Sequence, residues 1–382
     1  MIKMLNAFSE DPDNIEDAVD DLLAQLDIKH NLLKNSVAIV YCHIGFTDAE
    51  GVYELLNSKL PFDTVGMTAV AMGGGDNFGQ IAISVSVLTS DDAEFFTTVS
   101  PSLEKYSAAE VTKIAVDNIT AAVGNKPVAM YYPFVPFDEV KIGVSPEEYI
   151  NALNNLVTAP VFGGVASSDE ADFFNSFTLH NGKRYIDSLV LFAAVGDFTP
   201  EFYTLSLTYE NIGKTKANIT KSKGAAIFEV NDKPVLEYFT EIGLYDSTDP
   251  LSLLMTPLVF YMGDGTSVVR SVLTIAEDGA LILASSVPEN GEFCVGLIHH
   301  QGVIDSAQEL LTKSLKSIGD RAALFVSCAG RLWVLGTDFG AEREVINANL
   351  KNNKYNIAYA GGEVYPEKSI GLSRVQNETL IV

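Results

Sequence analysis

One order of predicted elements occurs three times along this chain, and it constrains the fold more than any other feature of the sequence. Apolar residues at helical spacing lead directly into a short buried strand within residues 15–41, 111–132 and 307–326. After each strand the pattern predicts a second helix, a further strand and a glycine-rich turn. Because adjacent glycines allow positive φ angles and close backbone approach, three turns at matching positions indicate architectural corners.

Capping boxes predict where several of these helices begin. The spacing of a serine or threonine followed three residues later by a glutamate occurs at Thr47, Ser107, Ser145 and Ser306. We expect a helix to start directly after each of these residues.

Tight-turn dipeptides interrupt the alternation of helices and strands. Asn181-Gly182 and Asp278-Gly279 each lie between two strand-like segments, which is a strong local signal for a β-hairpin. Hairpins pair strands antiparallel, whereas strand–helix–strand connections pair them parallel. We therefore predict an α/β fold of the mixed α+β kind, in which repeated strand–helix–strand units form mixed, partly antiparallel sheets with packed helices.

The length and a polar stretch predict two modules. At 382 residues the chain exceeds what one ordinary hydrophobic core supports, and residues 208–222 are polar between two strand-like segments. We place the modules at residues 1–210 and 211–382. Since no long flexible linker separates them, we expect them to pack together and to share a ligand-binding cleft.

The charge balance and the apolar runs exclude two classes of partner. A net charge of −25 leaves no basic cluster that would neutralise phosphates, so we predict no nucleic-acid binding. The first residues lack the apolar core of a signal peptide, and the apolar run at residues 251–262 is too short to span a bilayer. We expect a cytoplasmic protein without a membrane partner.

The cysteines predict neither disulfides nor a metal site. Cys42, Cys294 and Cys328 are widely spaced and form neither a disulfide framework nor a CxxC motif. Since cysteine and histidine do not pair at the spacing of metal ligands, we predict no metal and no cofactor.

The third repeat carries reactive and charged side chains that the other two lack. Ser327, Cys328 and Arg331 follow its first strand, and Glu363 follows its glycine turn. An arginine there suits the carboxylate of a small metabolite in bidentate geometry, and a glutamate suits an amino group, which together would form an amphoteric pocket. The alternative for Arg331 is an internal ion pair with Glu363 or Glu344.

Cys328 also has two interpretations. A nearby arginine would lower the pKa of its thiol and make it reactive, so that the protein would be an enzyme with a cysteine nucleophile. Without a motif for a catalytic base, we favour a small side chain in the core and a protein that is not an enzyme.

The glycine turn of the second repeat adds further candidates. Two hydroxyl groups and a carboxylate follow its double glycine, and they either contact the ligand or cap the turn. The complete predicted ligand-binding set is Gly163, Gly164, Ser167, Ser168, Asp169, Ser327, Cys328, Arg331, Gly361, Gly362 and Glu363.

With these elements placed, the chain resembles the FIST family, the F-box and intracellular signal transduction proteins. The N-terminal resemblance rests on APVFGGVASSD at residues 159–169 and on Asn181-Gly182. The C-terminal resemblance rests on LFVSCAGR at residues 324–331, GGE at residues 361–363 and NET at residues 377–379. It covers roughly residues 30–370, which is almost the whole chain.

The resemblance implies a sensory or signalling protein in which the FIST region binds a small ligand, such as an amino acid or a derivative. The first glycine turn, at residues 68–76, is poorer in serine and acidic residues than the family pattern, so its ligand contacts are in doubt. The chain leaves no room for an output module, so we expect signalling through a protein partner.

Some FIST proteins are described as haem-binding sensors of nitric oxide, which gives a further alternative. Haem needs an axial ligand, commonly histidine. The histidines are scattered and none is singled out: His30, His43, His180, His299 and His300. Our leading hypothesis is a non-catalytic cytoplasmic protein that recognises a small polar, amino-acid-like ligand.

Overall fold

The computed structural model describes residues 2–137, 144–168, 175–207, 209–254, 256–319, 321–350 and 354–382. Across these ranges the strands form three six-stranded sheets and one seven-stranded sheet. The predicted mixed α+β fold of repeated units is confirmed.

Each of the three repeats supplies an edge strand, a parallel strand pair, a hairpin and a return strand. The elements of the first repeat are β1 (Ile2–Ser9), α1 (Ile15–Leu26), α2 (Ile28–Asn31), β2 (Asn35–Cys42), α3 (Val52–Lys59), β3 (Thr64–Thr68), β4 (Ala71–Gly74), β5 (Asn77–Gly79) and β6 (Ile83–Ser90). Those of the second are β7 (Glu94–Val99), α4 (Ala108–Val123), β8 (Val128–Val135), α5 (Pro146–Leu156), β9 (Gly163–Val165), β10 (Thr178–His180), β11 (Lys183–Tyr185) and β12 (Val190–Val195).

The third repeat is split by an insertion. It begins with β13 (Thr204–Leu205). The inserted elements are β14 (Ile212–Lys223), β15 (Ala226–Val230), β16 (Lys233–Pro234), α6 (Val235–Glu241), β17 (Pro257–Tyr261), β18 (Ser267–Ile275), β19 (Leu281–Leu283) and β20 (Glu292–Gly296). The repeat resumes with α7 (His300–Ile318), β21 (Ala323–Cys328), α8 (Ala329–Leu335), α9 (Ala341–Asn349), β22 (Tyr355–Ala360), β23 (Gly362–Glu367), β24 (Leu372–Gln376) and β25 (Leu380–Ile381).

The three six-stranded sheets have the same strand order. The first four positions are β1-β6-β2-β3, β7-β12-β8-β9 and β13-β25-β21-β22. The last two strands of each set run parallel, and the others pair antiparallel. The repeats inferred from the sequence are therefore the same structural unit.

The remaining two positions of each sheet hold a hairpin that comes from another repeat. The hairpin β4–β5 pairs with β22, β10–β11 pairs with β3, and β23–β24 pairs with β9. Each repeat thus completes the sheet of another in a closed cycle. Three backbone hydrogen bonds fix these crossings at the predicted corners: Val70 N–H to Tyr359 O (3.0 Å), Ser167 N–H to Thr68 O (3.1 Å) and Gly361 N–H to Val165 O (2.9 Å).

Each sheet buries both of its faces, as the alternation of side chains along β2 illustrates. Ile39 and Tyr41 point into a central core that all three sheets share, whereas Ala38 and Val40 pack against α1 and α3. The second and third sheets bury their outer faces under α4 with α5 and under α7 with α9.

The insertion forms a closed antiparallel barrel. Its strands pair in the order β14-β20-β17-β18-β19-β15, and β14 also pairs with β15, which closes the ring. A buried ion pair joins this barrel to the second repeat, because the Arg270 guanidinium of β18 lies 3.0 Å from the Glu147 carboxylate of α5.

Two of the six-stranded sheets contain strands from both sides of residue 210. The sheet of β8 and β9 includes β23 and β24, and the sheet of β21 and β22 includes β4 and β5. The division into modules 1–210 and 211–382 stays a prediction.

The capping boxes are formed in two of four cases. Ser107 and Ser145 accept from backbone N–H groups at the starts of α4 and α5, with the reciprocal glutamate bonds present. The predictions at Thr47 and Ser306 are wrong, because α3 begins later than Thr47, and Ser306 lies inside α7, where its hydroxyl donates to a backbone carbonyl.

Candidate functional site

The distinctive side chains of the third repeat lie at the carboxyl ends of the parallel strands β21 and β22, where pockets of α/β folds usually form. The connection between β24 and β25, residues 377–379, crosses the same place. The Cys328 N–H donates to Thr379 O at 3.0 Å, and Asn377 Nδ2 donates to Gly361 O at 3.2 Å. The strand ends, the glycine corner and this connection therefore meet at one point.

Arg331 projects from α8 into this region and is 1% exposed. Each of its three nitrogens donates a hydrogen bond: Nε to Glu342 (2.9 Å), Nη1 to Glu378 O (3.4 Å), and Nη2 to Ser306 Oγ (2.8 Å), Val303 O (3.2 Å) and Glu342. Although burial alone would lower it, Glu342 raises the pKa of the Arg331 guanidinium. Arg331 is therefore half of an internal ion pair.

The partner, Glu342, was missed by sequence reasoning. It lies in the first turn of α9, is fully buried, and accepts a further bond from Ser327 Oγ at 2.6 Å. Of the two carboxylates considered, Glu344 is exposed, and Glu363 forms no ion pair with Arg331 within the described ranges. Both Glu342 and Glu344 suit the positive end of the helix dipole, so this signal does not distinguish them.

Three neighbouring side chains, Glu363, Asn377 and Glu378, form what we call the interior acceptor cluster. Each is at most 1% exposed. No hydrogen bond of good geometry reaches either carboxylate oxygen of Glu363, Asn377 Oδ1 or Glu378 Oε2 among the residues that the structure describes, although the nearby Thr379 N–H lowers the pKa of Glu363. Since leaving one such atom buried and unpaired costs about 1–3 kcal/mol, the cluster is the strongest candidate for a ligand contact.

Electrostatics at the cluster disfavour the ionised carboxylates. Burial, and then the negative charge of Glu378, raise the pKa of Glu363 well above its usual range. Burial raises the pKa of Glu378 to about 7, opposed by a 2.6 Å hydrogen bond from Ser271 Oγ. Glu378 also has a left-handed backbone conformation (φ 53°), and strain of this kind in a residue with a side chain is typical of functional sites.

Cys328 borders the cluster but is poorly suited to act as a nucleophile. It is 4% exposed, and burial, followed by the charges of Glu363 and Glu378, raises the pKa of its thiol well above the usual value. A thiol of this kind carries little thiolate at neutral pH.

We therefore expect slow alkylation of Cys328 in the native protein. Iodoacetamide at neutral pH should modify it at least about a hundredfold more slowly than in the unfolded chain, because reaction requires local opening. Peptide mass analysis over time measures the alkylation rate of each cysteine separately. Cys42 and Cys294 are also buried, so their rates serve as internal references for the rate of Cys328. Selective, rapid modification of Cys328 would favour the enzyme hypothesis.

The serines predicted in the second glycine turn are buried. Ser167 Oγ donates to Tyr359 O at 3.3 Å, which links the second and third repeats. Ser168 is 2% exposed, and Asp169 lies outside the described residues.

The predicted glycines are tightly enclosed by the protein itself. A Cβ atom on Gly163 would lie 2.3 Å from the Pro133 carbonyl oxygen of the parallel strand β8. Close contacts with other protein atoms also surround the remaining three, Gly164, Gly361 and Gly362. The atoms nearest to a Cβ on Gly163 or Gly361 are backbone carbonyl oxygens, so the strand crossings leave little space for a side chain at these two positions.

The cluster is bonded directly to the inserted barrel. Ser271 of β18 binds Glu378, and the Asn377 N–H donates to Val269 O of the same strand at 3.2 Å. A displacement of residues 377–378 would therefore act on the barrel.

The histidines occupy other places in the fold and give no support to a haem site at the cluster. His30 lies beside Asp27, and His300 beside Asp338. The other three bond elsewhere: His43 to Gly45 N–H, His180 to Thr97 Oγ1 and His299 to Gly302 N–H.

Two family models match this chain over most of its length. The FIST N domain model matches residues 36–233, and the FIST C domain model matches residues 235–366. The chain belongs to the FIST family. FIST domains are sensor domains of signal transduction, and the resemblance inferred from the sequence motifs is confirmed.

The FIST N match covers most of the first repeat, the second repeat and the start of the barrel, whereas the FIST C match covers the rest of the barrel and the third repeat as far as β23. Glu363 lies in the FIST C match, and Asn377 and Glu378 follow it. In the part of the chain that the structure describes, no helix is both long and apolar enough to cross a membrane.

A curated relative is an uncharacterized protein of Methanocaldococcus jannaschii, which is 23% identical over 227 residues. The matched region spans 56% of this chain and 42% of that protein. This FIST chain thus corresponds to less than half the length of that relative.

Proposed function

We propose that this FIST protein is a cytoplasmic sensor that binds a small polar ligand at the interior acceptor cluster and signals through a protein partner. The observation that carries the proposal is the Glu363 carboxylate, which is fully buried and has no hydrogen bond of good geometry to either oxygen within the described residues. A folded protein retains such a group at a cost, so a ligand that supplies the missing donors would gain the corresponding free energy.

The ion pair changes the roles expected from the sequence. Because the Arg331 nitrogens are engaged by Glu342 and its neighbours, Arg331 acts as a positioning residue in this proposal. Its guanidinium donates a hydrogen bond to Glu378 O, and its partner Glu342 accepts a hydrogen bond from Ser327 near the end of β21. In this proposal Glu363, and not Arg331, contacts the ligand, and Asn377 and Glu378 lie beside it.

The bonds between the cluster and the barrel provide a route to a partner. A ligand that engages Glu378 would compete with the Ser271 hydroxyl for its carboxylate, and would shift residues that also bond to Val269. The barrel would then move relative to α5, to which it is held by the Glu147–Arg270 pair. The moving element of the sensor is therefore expected to be the barrel.

A thermal-shift screen tests the proposal. Amino acids, amines, carboxylic acids and polyols should include compounds that raise the melting temperature of the wild type by several degrees at saturating concentration, because a ligand that binds only the folded state stabilises it. Glu363→Gln should abolish the shift. Glu344→Gln, which changes an exposed glutamate of α9, should keep it. Compounds that shift the wild type and Glu363→Gln equally would contradict the proposed site.

A further inference from the structure

The interior acceptor cluster offers hydrogen-bond acceptors and almost no free donors. Its unpaired atoms are the two oxygens of Glu363, Asn377 Oδ1 and Glu378 Oε2, all of which accept when the carboxylates are ionised. The neighbouring donors are already engaged, since Asn377 Nδ2 binds Gly361 O, and Ser271 Oγ binds Glu378 Oε1. A ligand for this site has to bring donors.

The charges at the site also point to a cation. The cationic side chain that acts on the cluster, Arg331, is neutralised by Glu342 at hydrogen-bonding distance. Glu363 and Glu378 therefore remain as two carboxyl groups without a dedicated counter-charge. A cation would stabilise the ionised form of either carboxyl, whereas a ligand carboxylate brings no compensating charge, so the site favours a cation over the acidic end of an amino acid.

From this arrangement we infer that the interior acceptor cluster binds a compact cation with N–H donors, an ammonium ion or a primary alkylammonium group, in exchange for a proton. The inference rests on the proposed function, because it names the ligand class of the same site. It departs from the amphoteric pocket expected from the sequence, in which Arg331 was to hold a carboxylate.

The surroundings limit the size of the bound group. A Cβ atom on Gly361 would lie 3.0 Å from Ala166 O, and one on Gly362 would lie 3.2 Å from Asn377 Nδ2. An ammonium group has three or four donors in a volume close to that of one water molecule, which suits a few buried oxygens. A metal ion is less well served, since the described residues contain no group of three or more His, Cys, Asp or Glu side chains arranged to hold one.

The proton exchange follows from the groups that face the two carboxyls. Cys328 of β21, Arg331 of α8 and Glu342 of α9 act on Glu363 or Glu378. Burial, and then the charge of Glu378, raise the pKa of Glu363 well above its usual range, which favours a proton on this carboxyl in the free protein. On binding, the carboxylic acid and the ammonium ion give a carboxylate–ammonium pair, and one proton leaves to solvent.

This exchange makes affinity depend on pH with a definite sign. The bound state needs an ionised carboxylate, whereas the free state holds a proton, so lower pH favours the free state. Affinity should rise by up to about tenfold per pH unit as long as the pH stays below the raised pKa of Glu363, because one proton is released per ligand. Alkylammonium ions resemble the lysine side chain, whose pKa is about 10.4, so they stay charged in neutral and acidic solution.

Isothermal titration calorimetry of the full chain tests the inference. The probes are ammonium, methylammonium and ethylammonium chlorides, with tetramethylammonium chloride as a cation without donors, potassium chloride as a metal cation and sodium acetate as an anion. We expect ammonium or methylammonium to bind and tetramethylammonium, potassium and acetate not to bind. Titration in two buffers of different ionisation enthalpy should show the release of about one proton.

Variants and outcomes separate this inference from the proposed function. Glu363→Gln is nearly isosteric with the protonated acid and should weaken methylammonium binding at least tenfold, whereas Glu344→Gln should leave it unchanged. Binding of methylammonium without proton release would overturn the exchange. If only acetate or a neutral compound stabilises the protein in a Glu363-dependent way, the sensor site survives and the cation inference fails. If no compound depends on Glu363, both fail.

Discussion

Replacing Arg331 with methionine is expected to lower the free energy of unfolding by about 3–5 kcal/mol, because the change leaves a buried carboxylate without its partner. Glu342 is fully buried and would lose its counter-charge while keeping the hydrogen bond from Ser327 Oγ. Chemical denaturation followed by circular dichroism measures the effect.

A surface ion pair and a double variant provide the controls. Arg321 pairs with Glu201 at 2.9 Å, but its side chain is 51% exposed, so Arg321→Met should cost less than about 1 kcal/mol. Combining Arg331→Met with Glu342→Leu should recover part of the loss, because both buried charges are then absent. If Arg331→Met is as mild as Arg321→Met, the guanidinium is not committed to Glu342, and the original assignment of Arg331 to a ligand carboxylate returns.

Replacing Gly163 with alanine is the second change with a large expected effect. The new Cβ would lie 2.3 Å from the Pro133 carbonyl oxygen, which belongs to the backbone of the adjacent parallel strand and cannot move aside by changing a rotamer. We expect a loss of about 1–3 kcal/mol or more, measured as a lower midpoint of denaturation. The ligand response should persist in whatever fraction remains folded.

Gly263 offers a matched comparison. A Cβ there would meet nothing within 4 Å, and its backbone conformation is not left-handed, so Gly263→Ala should change stability by no more than about 0.5 kcal/mol. A stable Gly163→Ala protein that has lost only its ligand response would show that Gly163 serves the ligand, as the sequence motif allowed.

Local features of the sequence predicted the elements well but not all their partners. The boxes at Ser107 and Ser145 start helices as expected, because each serine has the reciprocal glutamate within reach. The Asn181-Gly182 turn joins β10 to β11, as its residue types require. Tertiary packing decides which sheet this hairpin joins. The sequence pattern does not show it, because side chains alternate between the two faces of a strand in the same way whether the neighbouring strand comes from the same repeat or from another.

The sequence pointed to some residues of the candidate site but not to their tertiary partners. Sequence reasoning selected Arg331 and Glu363 because charged residues at strand ends are conspicuous. Helix α9 presents Glu342 inward and Glu344 outward, and that choice depends on the rotation of the helix against β21. Glu378 gave no local sign of its left-handed conformation, which is uncommon for glutamate.

The cyclic exchange of hairpins also sets the order in which this chain can fold as it leaves the ribosome. The hairpin β4–β5 pairs with β22, and β9 pairs with β23, and both of these partner strands are synthesised much later than the strands that they cover. Until then the first two repeats carry unpaired strand edges, which invite association with other chains. The first two repeats therefore depend on strands of the third repeat, and we expect slow folding because these contacts are so distant along the chain.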